Sequence, residues 1–139
     1  MNVKAKIDEL AQKESGFGFE DLRDIGAVLR SDLGCPWDRK QTLESMKKCL
    51  ADETQEVFDA IDNKDMENLC EELGDVLLQV IMNSQIASEE GQFTLDDVVE
   101  GVCQKLIRRH PHVFGDEAPA ATQEEALERW NQMKALERK

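Results

Sequence analysis

The chain has 139 residues and a formal net charge of -13, a length that suits a single domain with a modest core. Such an acidic excess argues against nucleic-acid backbones and anionic membranes as partners, because both bind proteins through lysine and arginine. The four cysteines are widely spaced, which fits a reducing compartment. The first residues lack the long apolar core of a signal peptide, and no run approaches the roughly 18 apolar residues of a membrane span. We therefore expect a soluble cytoplasmic protein.

The expected elements are all helices. The chain has 3 prolines and very few β-branched alternations, so the pattern predicts an all-α helical bundle without strands. We expect one domain over residues 1–139, with N-terminal helices in 1–34, core helices in 38–110 and a C-terminal helix at 122–138. In chain order, the predicted helices cover 3–13, 19–33, 38–62, 65–90, a segment from Thr94 or Asp96 to Arg109, and 122–138.

Turn and cap residues set the expected helix ends. Residues 34–37 predict a turn after the second helix, and Asp38 with Gln41 three residues later resembles the capping box that starts the third. A short turn at 63–64 makes the third and fourth helices an antiparallel hairpin. Pro111 stops the fifth helix.

Two acids occupy positions in this hairpin where the helical pattern calls for apolar residues. Glu53 interrupts the apolar stripe of the third helix, and Glu72 interrupts that of the fourth. Each is followed three residues later by a second acid on the same face, Glu56 and Asp75 respectively. The hairpin would therefore direct four carboxylates at one place. Ionised carboxylates are almost never buried without a partner, so the pattern predicts a divalent cation there.

The alternative for any acidic helix pair is a solvated surface. That interpretation suits the acids outside the stripe, namely Glu67, Glu71, Glu89 and Glu90. For Glu53 and Glu72 the position in the stripe favours a metal site. An all-oxygen ligand set favours Mg²⁺ or Mn²⁺ over zinc or copper. The sequence at 62–67 does not fit a calcium-binding loop, and the two histidines lie beyond a helix end, where they do not form the motif of a di-iron bundle.

A basic patch on the fifth helix is the candidate for binding phosphate. No glycine-rich phosphate-binding loop is present, so side chains have to supply these contacts. Lys105 and Arg109 lie one turn apart on one helical face, with Arg108 beside them. The alternative is that these cations only complement the negative end of the helix dipole.

Trp37 and Trp130 are the two tryptophans of a chain without tyrosine. Each could stack on a nucleotide base, although packing in the core is the commoner role of an indole.

These pieces together resemble the MazG family of nucleoside triphosphate pyrophosphohydrolases. The matching segments occur in the family's order and span most of the chain: CPWD at 35–38, DETQE at 52–56, EELGD at 71–75, KLIRRHPHVFGD at 105–116 and RWNQMK at 129–134. The paired acids alone are a weak signal, but the other blocks make the combination specific. One departure is Asp52, where the family usually has glutamate. Many relatives carry two such domains, and this chain resembles the first.

The resemblance implies an all-α bundle of the NTP pyrophosphatase type that works as a homodimer or higher oligomer on a nucleoside triphosphate. It implies Mg²⁺, with Mn²⁺ as a possible substitute, held by the acidic hairpin through Glu53, Glu56, Glu72 and Asp75. It also implies phosphate-side roles for Lys105 and Arg109, and nucleotide binding by Trp130 and Lys134.

The implied reaction is hydrolysis of NTP or dNTP to the monophosphate and diphosphate. One of the four carboxylates could accept the proton of the attacking water, and we favour Glu53 or Glu56. Two alternatives remain at this point: a catalytically degenerate nucleotide-binding or regulatory bundle, and a purely structural helical dimerisation module.

Overall fold

The structure is a computed structural model that describes residues 1–138. Within that range it contains eight helices and no strand, which confirms the all-α prediction. The helices are α1 (Val3–Gln12), α2 (Phe19–Leu29), α3 (Pro36–Arg39), α4 (Leu43–Asp62), α5 (Met66–Glu89), α6 (Leu95–Arg109), α7 (Pro111–Phe114) and α8 (Gln123–Glu137). None of these helices is both long and apolar enough to cross a membrane. The chain forms two compact units, one over Met1–Leu95 and one from Asp96 onward.

The first unit is built on the hairpin of α4 and α5. Thr42 caps α4 because its hydroxyl accepts from the Ser45 amide at 3.1 Å, while the Ser45 hydroxyl accepts from the Thr42 amide at 2.9 Å. The two helices are joined by a tight turn in which Lys64 takes a left-handed φ of 55°. Asp65 then caps α5 by accepting from the Asn68 amide at 3.1 Å. The predicted hairpin is therefore present, and its caps fix where each helix begins.

A small core holds α2 and α4 against α5. Met46 of α4 packs on Met82 and Ile86 of α5, and all three side chains are buried. Gly26 of α2 lies against the same helix, where an added Cβ would come within 2.8 Å of Ile81 Cγ2. This close approach explains why α2 carries a glycine in the middle of a helix, a position where glycine is otherwise unfavourable.

The second helix is shorter than predicted. It ends at Leu29, not at residue 33, because the chain turns back and the Cys35 amide donates to the Leu29 carbonyl at 2.9 Å. The turn is so tight that a Cβ at Gly34 would lie 2.2 Å from the Val28 carbonyl oxygen. Leu33 continues the apolar spacing of the second helix, which is why the pattern predicted a longer helix, but the turn excludes it from α2.

The predicted capping box at Asp38 was wrong. Asp38 lies inside the short helix α3, and α4 begins after Thr42. The side chain of Gln41 instead donates from Nε2 to the Trp37 carbonyl at 2.9 Å. The real cap, Thr42 with Ser45, lies four residues further along the chain.

Much of the apolar stripe used for the prediction faces solvent. Leu73 is 51% exposed, and the other exposed apolar side chains of the hairpin include Leu50, Phe58, Ile61, Leu77 and Val80. The buried side chains of α5 belong to its second half: Gln79, Ile81, Met82, Ser84, Ile86 and Ala87. The hairpin therefore leaves many of its large apolar side chains exposed.

In the second unit, α6 and α8 are joined by ion pairs. Arg108 and Arg109 at the end of α6 both bind the Glu137 carboxylate at the end of α8. Thr122 caps α8 by accepting from the Glu125 amide at 3.1 Å. As predicted, α6 ends before Pro111, which itself begins the short helix α7.

Candidate metal centre and nucleotide-binding residues

The hairpin brings Glu53, Glu56, Glu72 and Asp75 together. Each offers a carboxylate oxygen, and these four oxygens all lie within 4.8 Å of one another. The first pair comes from α4 and the second from α5, and the members of each pair are three positions apart in the sequence. Glu56 is exposed and the other three are half-buried. The predicted convergence of the acids on one place is therefore present.

The carboxylates disfavour one another's charge. Burial, followed by the charges of Glu56 and Asp75, raises the pKa of Glu53 above its ordinary value. A side-chain contact with Glu56, followed by burial, raises the pKa of Glu72 from 4.5 to about 7. Both shifts have the sign expected when like charges approach and water is withdrawn.

Two oxygens of the cluster lack a hydrogen-bond donor. Glu53 Oε2 and Glu72 Oε2 are buried, and neither has a hydrogen-bond partner among the described residues. Buried polar atoms are normally paired, so each of these oxygens can accept a ligand. Four close carboxylates with two unpaired oxygens fit a hard divalent cation, whose preferred ligands are oxygens. Zinc and copper are less suitable because the cluster has neither nitrogen nor sulfur donors.

Asp52 lies outside this cluster. Its carboxylate accepts from Lys48 Nζ at 2.7 Å on the exposed side of α4. The departure from the family's usual glutamate at this position therefore affects a surface ion pair.

Trp37 is placed on α3, at the tight turn that precedes α4. Its side chain is 58% exposed. An indole exposed to this extent does not pack as a core residue, which leaves a face available for stacking on a ligand.

The second unit brings Arg109 and Trp130 together. The Arg109 guanidinium carbon lies 4.7 Å from the centre of the Trp130 ring, a cation–π distance. Arg109 Nη2 also donates to Glu137 Oε2 at 2.7 Å, and its side chain is only 13% exposed. Lys105 on α6 and Lys134 on α8 are half-buried.

Glu137 was not anticipated from the sequence. Hydrogen bonds from Arg109 and then from Arg108 lower its pKa to about 2. Glu137 and Arg109 are 28 positions apart in the sequence, which exceeds any helical spacing, so only the tertiary structure reveals this pair. Arg109 is thus held by a carboxylate, an anion whose oxygens resemble those of phosphate.

The fold and the four converging carboxylates define the class of this protein: it is an all-α protein with a candidate cation site on a helix hairpin. Residues 41–114 match the family described as the MazG nucleotide pyrophosphohydrolase domain. The match covers more than half of the chain, so this protein belongs to the MazG family, as its sequence blocks predicted.

Similar proteins agree with this assignment. The chain is 51% identical over 91% of its length to the nucleoside triphosphate pyrophosphohydrolase/pyrophosphatase MazG of Thermotoga maritima, and covers 48% of that protein. It is 47% identical over 76% of its length to the nucleoside triphosphate pyrophosphohydrolase of Escherichia coli K12, and covers 40% of it. The chain thus spans half or less of these curated relatives.

A solved structure shows the same fold. The crystal structure of a mazG-related protein from Thermotoga maritima matches with a TM-score of 0.69 at 32% identity, covering 84% of this chain and 98% of the other.

Proposed function

We propose that this protein is a magnesium-dependent nucleoside triphosphate pyrophosphohydrolase, converting NTP or dNTP and water to the monophosphate and diphosphate. The observation that carries the proposal is the convergence of four carboxylates in a chain of the MazG family, two of them with a buried oxygen that has no hydrogen-bond partner in residues 1–138. The names of the relatives from Thermotoga maritima and Escherichia coli support the reaction type.

Glu53, Glu56, Glu72 and Asp75 are the residues that would hold the cation. When bound, Mg²⁺ supplies positive charge to the polyphosphate and makes a water molecule more acidic. The carboxylates must be ionised to hold it, so Glu72 gives up the proton that its raised pKa favours. Glu53 or Glu56 would then accept the proton of the attacking water as the water oxygen bonds to phosphorus and the anhydride bond between the α- and β-phosphates breaks, so that the monophosphate and diphosphate leave.

Residues outside the carboxylate cluster are proposed to bind the rest of the nucleotide. Lys105 and Arg109 contact phosphate oxygens, for which the planar guanidinium of arginine is well suited. Arg109 already binds one carboxylate through two of its nitrogens. Trp37 stacks on the base through its exposed indole. Trp130 and Lys134 also contact the nucleotide.

We also propose that the protein is a homodimer or higher oligomer. The hairpin exposes large apolar side chains, including Phe58, Ile61 and Leu73. A concentration of exposed large apolar side chains on two helices is typical of protein interfaces, and a second copy of the chain would cover them.

The proposed activity is tested by incubating the purified chain with NTPs and dNTPs, with and without Mg²⁺, and separating the products by chromatography. We expect nucleoside monophosphate and diphosphate in equal amounts, only with the metal. Release of orthophosphate and nucleoside diphosphate would contradict the proposed bond cleavage. Nucleotide binding without any hydrolysis would instead support the degenerate nucleotide-binding bundle.

A further inference from the structure

Arg30 connects three parts of the first unit. It follows α2, and its side chain is only 9% exposed. Nη1 donates to the Asp38 carbonyl at 2.6 Å and to the Gln41 carbonyl at 2.9 Å. Nε and Nη2 donate to the two carboxylate oxygens of Glu89, at 2.8 and 2.9 Å. One guanidinium thus binds two backbone carbonyls and, through a bidentate ion pair, the end of α5.

The Trp37 turn, the segment 34–42 that contains α3 and joins α2 to α4, is also held from its other side. Arg39 Nη1 donates back to the carbonyls of Ser31 and Asp32, at 3.1 and 2.6 Å. The Trp37 carbonyl accepts from Gln41 Nε2 at 2.9 Å. Backbone on both sides of Trp37 is therefore fixed by long polar side chains.

The orientation of Gln41 is fixed as well. Its Oε1 accepts from the Ser45 hydroxyl at 2.8 Å, and its own carbonyl is one of the two bound by Arg30. Arg30 therefore acts at the point where the Trp37 turn joins α4. Short connecting segments at protein surfaces are ordinarily mobile, whereas the one that contains α3 is tied to both α2 and α5.

The arrangement requires arginine. A lysine is a point charge on a flexible stem, and it cannot bind two carbonyls and both oxygens of a carboxylate in one plane. Trp37 itself remains exposed although the backbone on both sides of it is held. An exposed aromatic ring on a fixed backbone can bind a flat ligand without first being ordered, which improves affinity.

We propose that Arg30 is a positioning residue for nucleotide recognition: it holds the backbone of the turn that presents Trp37 to the base. This inference rests on the proposed function for the substrate, but the positioning itself is a property of the free protein. The two can therefore fail separately.

The first test measures Trp37 directly. The chain has 2 tryptophans, so a Trp130→Phe background leaves Trp37 as the single fluorophore. In that background we expect Arg30→Lys to lower the fluorescence anisotropy of Trp37 below the value measured with Arg30 present. Lys47→Gln, which removes only the exposed ion pair with Glu44, is the control and should leave the anisotropy unchanged. Unchanged anisotropy in Arg30→Lys would overturn the inference.

The second test is a double-mutant cycle on KM. We expect Trp37→Ala to raise KM about 5- to 140-fold, the range for losing one base stack. Arg30→Lys should raise KM about 3- to 10-fold with little change in kcat, because an ordering cost is added to binding. If Arg30 acts through Trp37, the double variant should have the KM of Trp37→Ala alone. Additive effects would overturn the inference.

Glu89→Gln separates positioning from plain stability. It removes the charge of the partner on α5, while an amide oxygen can still accept from Arg30 and the two carbonyl contacts of Arg30 remain, so we expect a lower Tm and a KM close to native. If Glu89→Gln raises KM as much as Arg30→Lys, the change follows stability, and the positioning role is overturned. A native chain that hydrolyses no nucleotide would overturn the proposed function, while the anisotropy would still decide whether Arg30 positions Trp37.

Discussion

Glu53 and Glu72 come from different helices, yet each has a buried Oε2 atom without a hydrogen-bond donor among the described residues. An acid left in this state opposes folding when it is ionised, since its charge has lost water and gained no partner. The ionised acids therefore lower the free energy of unfolding, and a bound divalent cation would restore it.

Added Mg²⁺ should stabilise the native protein. Ligand linkage gives about 2.7 kcal/mol at a hundredfold excess over Kd, so Tm should rise with Mg²⁺ concentration in a thermal melt. The double variant Glu53→Gln/Glu72→Gln should show no such rise. Glu71→Gln, an exposed neighbour outside the cluster, is the control and should respond like the native chain. An equal rise in native chain and double variant would exclude the cluster as the metal site.

The pH dependence of the metal-free protein should follow Glu72. Its pKa is raised to about 7 in the folded state from an ordinary 4.5, so the folded protein binds the additional proton. The resulting stability is fully present below pH 4.5 and is lost as the pH rises through about 7. Chemical denaturation in EDTA should show this decline in the native chain and a smaller decline in Glu72→Gln. Identical pH profiles would show that Glu72 is not the group responsible.

Arg109→Ala and Glu137→Gln should separate phosphate binding from structural anchoring. If Arg109 binds the triphosphate, its loss should weaken transition-state binding by about 2–5 kcal/mol, the scale for truncating a buried charge pair. This weakening should appear as a lower kcat/KM. The loss should be the same for every base, because all nucleotides share the phosphates. Glu137→Gln removes only the internal carboxylate partner, so it should lower Tm without lowering kcat/KM.

The opposite result is equally clear for this pair of variants. If Arg109 only anchors α8 or complements the helix dipole, both substitutions should lower Tm and leave the kinetics of four nucleotides unchanged. That outcome would remove Arg109 from the substrate-binding residues.

Gly26→Ala should destabilise the first unit. Its Cβ would meet Ile81 Cγ2 at 2.8 Å, and such overpacking costs about 1–3 kcal/mol. Gly74→Ala is the matched control, because no atom of the described residues outside its own helical backbone and chain neighbours lies within 4 Å of the added Cβ, and alanine in a helix should stabilise by about 0.5–1 kcal/mol. Urea denaturation in EDTA measures both changes. A neutral Gly26→Ala would show that α2 and α5 can separate at little cost.

The acid cluster could be predicted because its information is local. Helical spacing places Glu53 with Glu56 and Glu72 with Asp75, and a short turn brings the two pairs face to face. The positions of the apolar side chains were predicted less well. Helical periodicity identifies Leu73 as part of an apolar stripe, but it does not distinguish a face buried within the chain from one left exposed by it.

The residues that the sequence did not reveal act over long separations. Arg30 has no acidic residue three or four positions away, and its partner Glu89 lies 59 residues later. Glu137 similarly pairs with Arg108 and Arg109 across 29 and 28 residues. The early end of α2 depends on a backbone hydrogen bond from Cys35, which competes with a continued helical pattern. In each case the tertiary structure decides what local propensity leaves open.

The most direct measurement of the central claim is Mg²⁺-dependent pyrophosphate release by four isosteric variants: Glu53→Gln, Glu56→Gln, Glu72→Gln and Asp75→Asn. Each removes a charge and keeps the side-chain volume, so circular dichroism should remain native. We expect turnover to be abolished in all four and retained in Glu71→Gln. Near-native turnover in any of the four would contradict its assignment as a ligand, and native turnover throughout would contradict the carboxylate cluster as the catalytic centre.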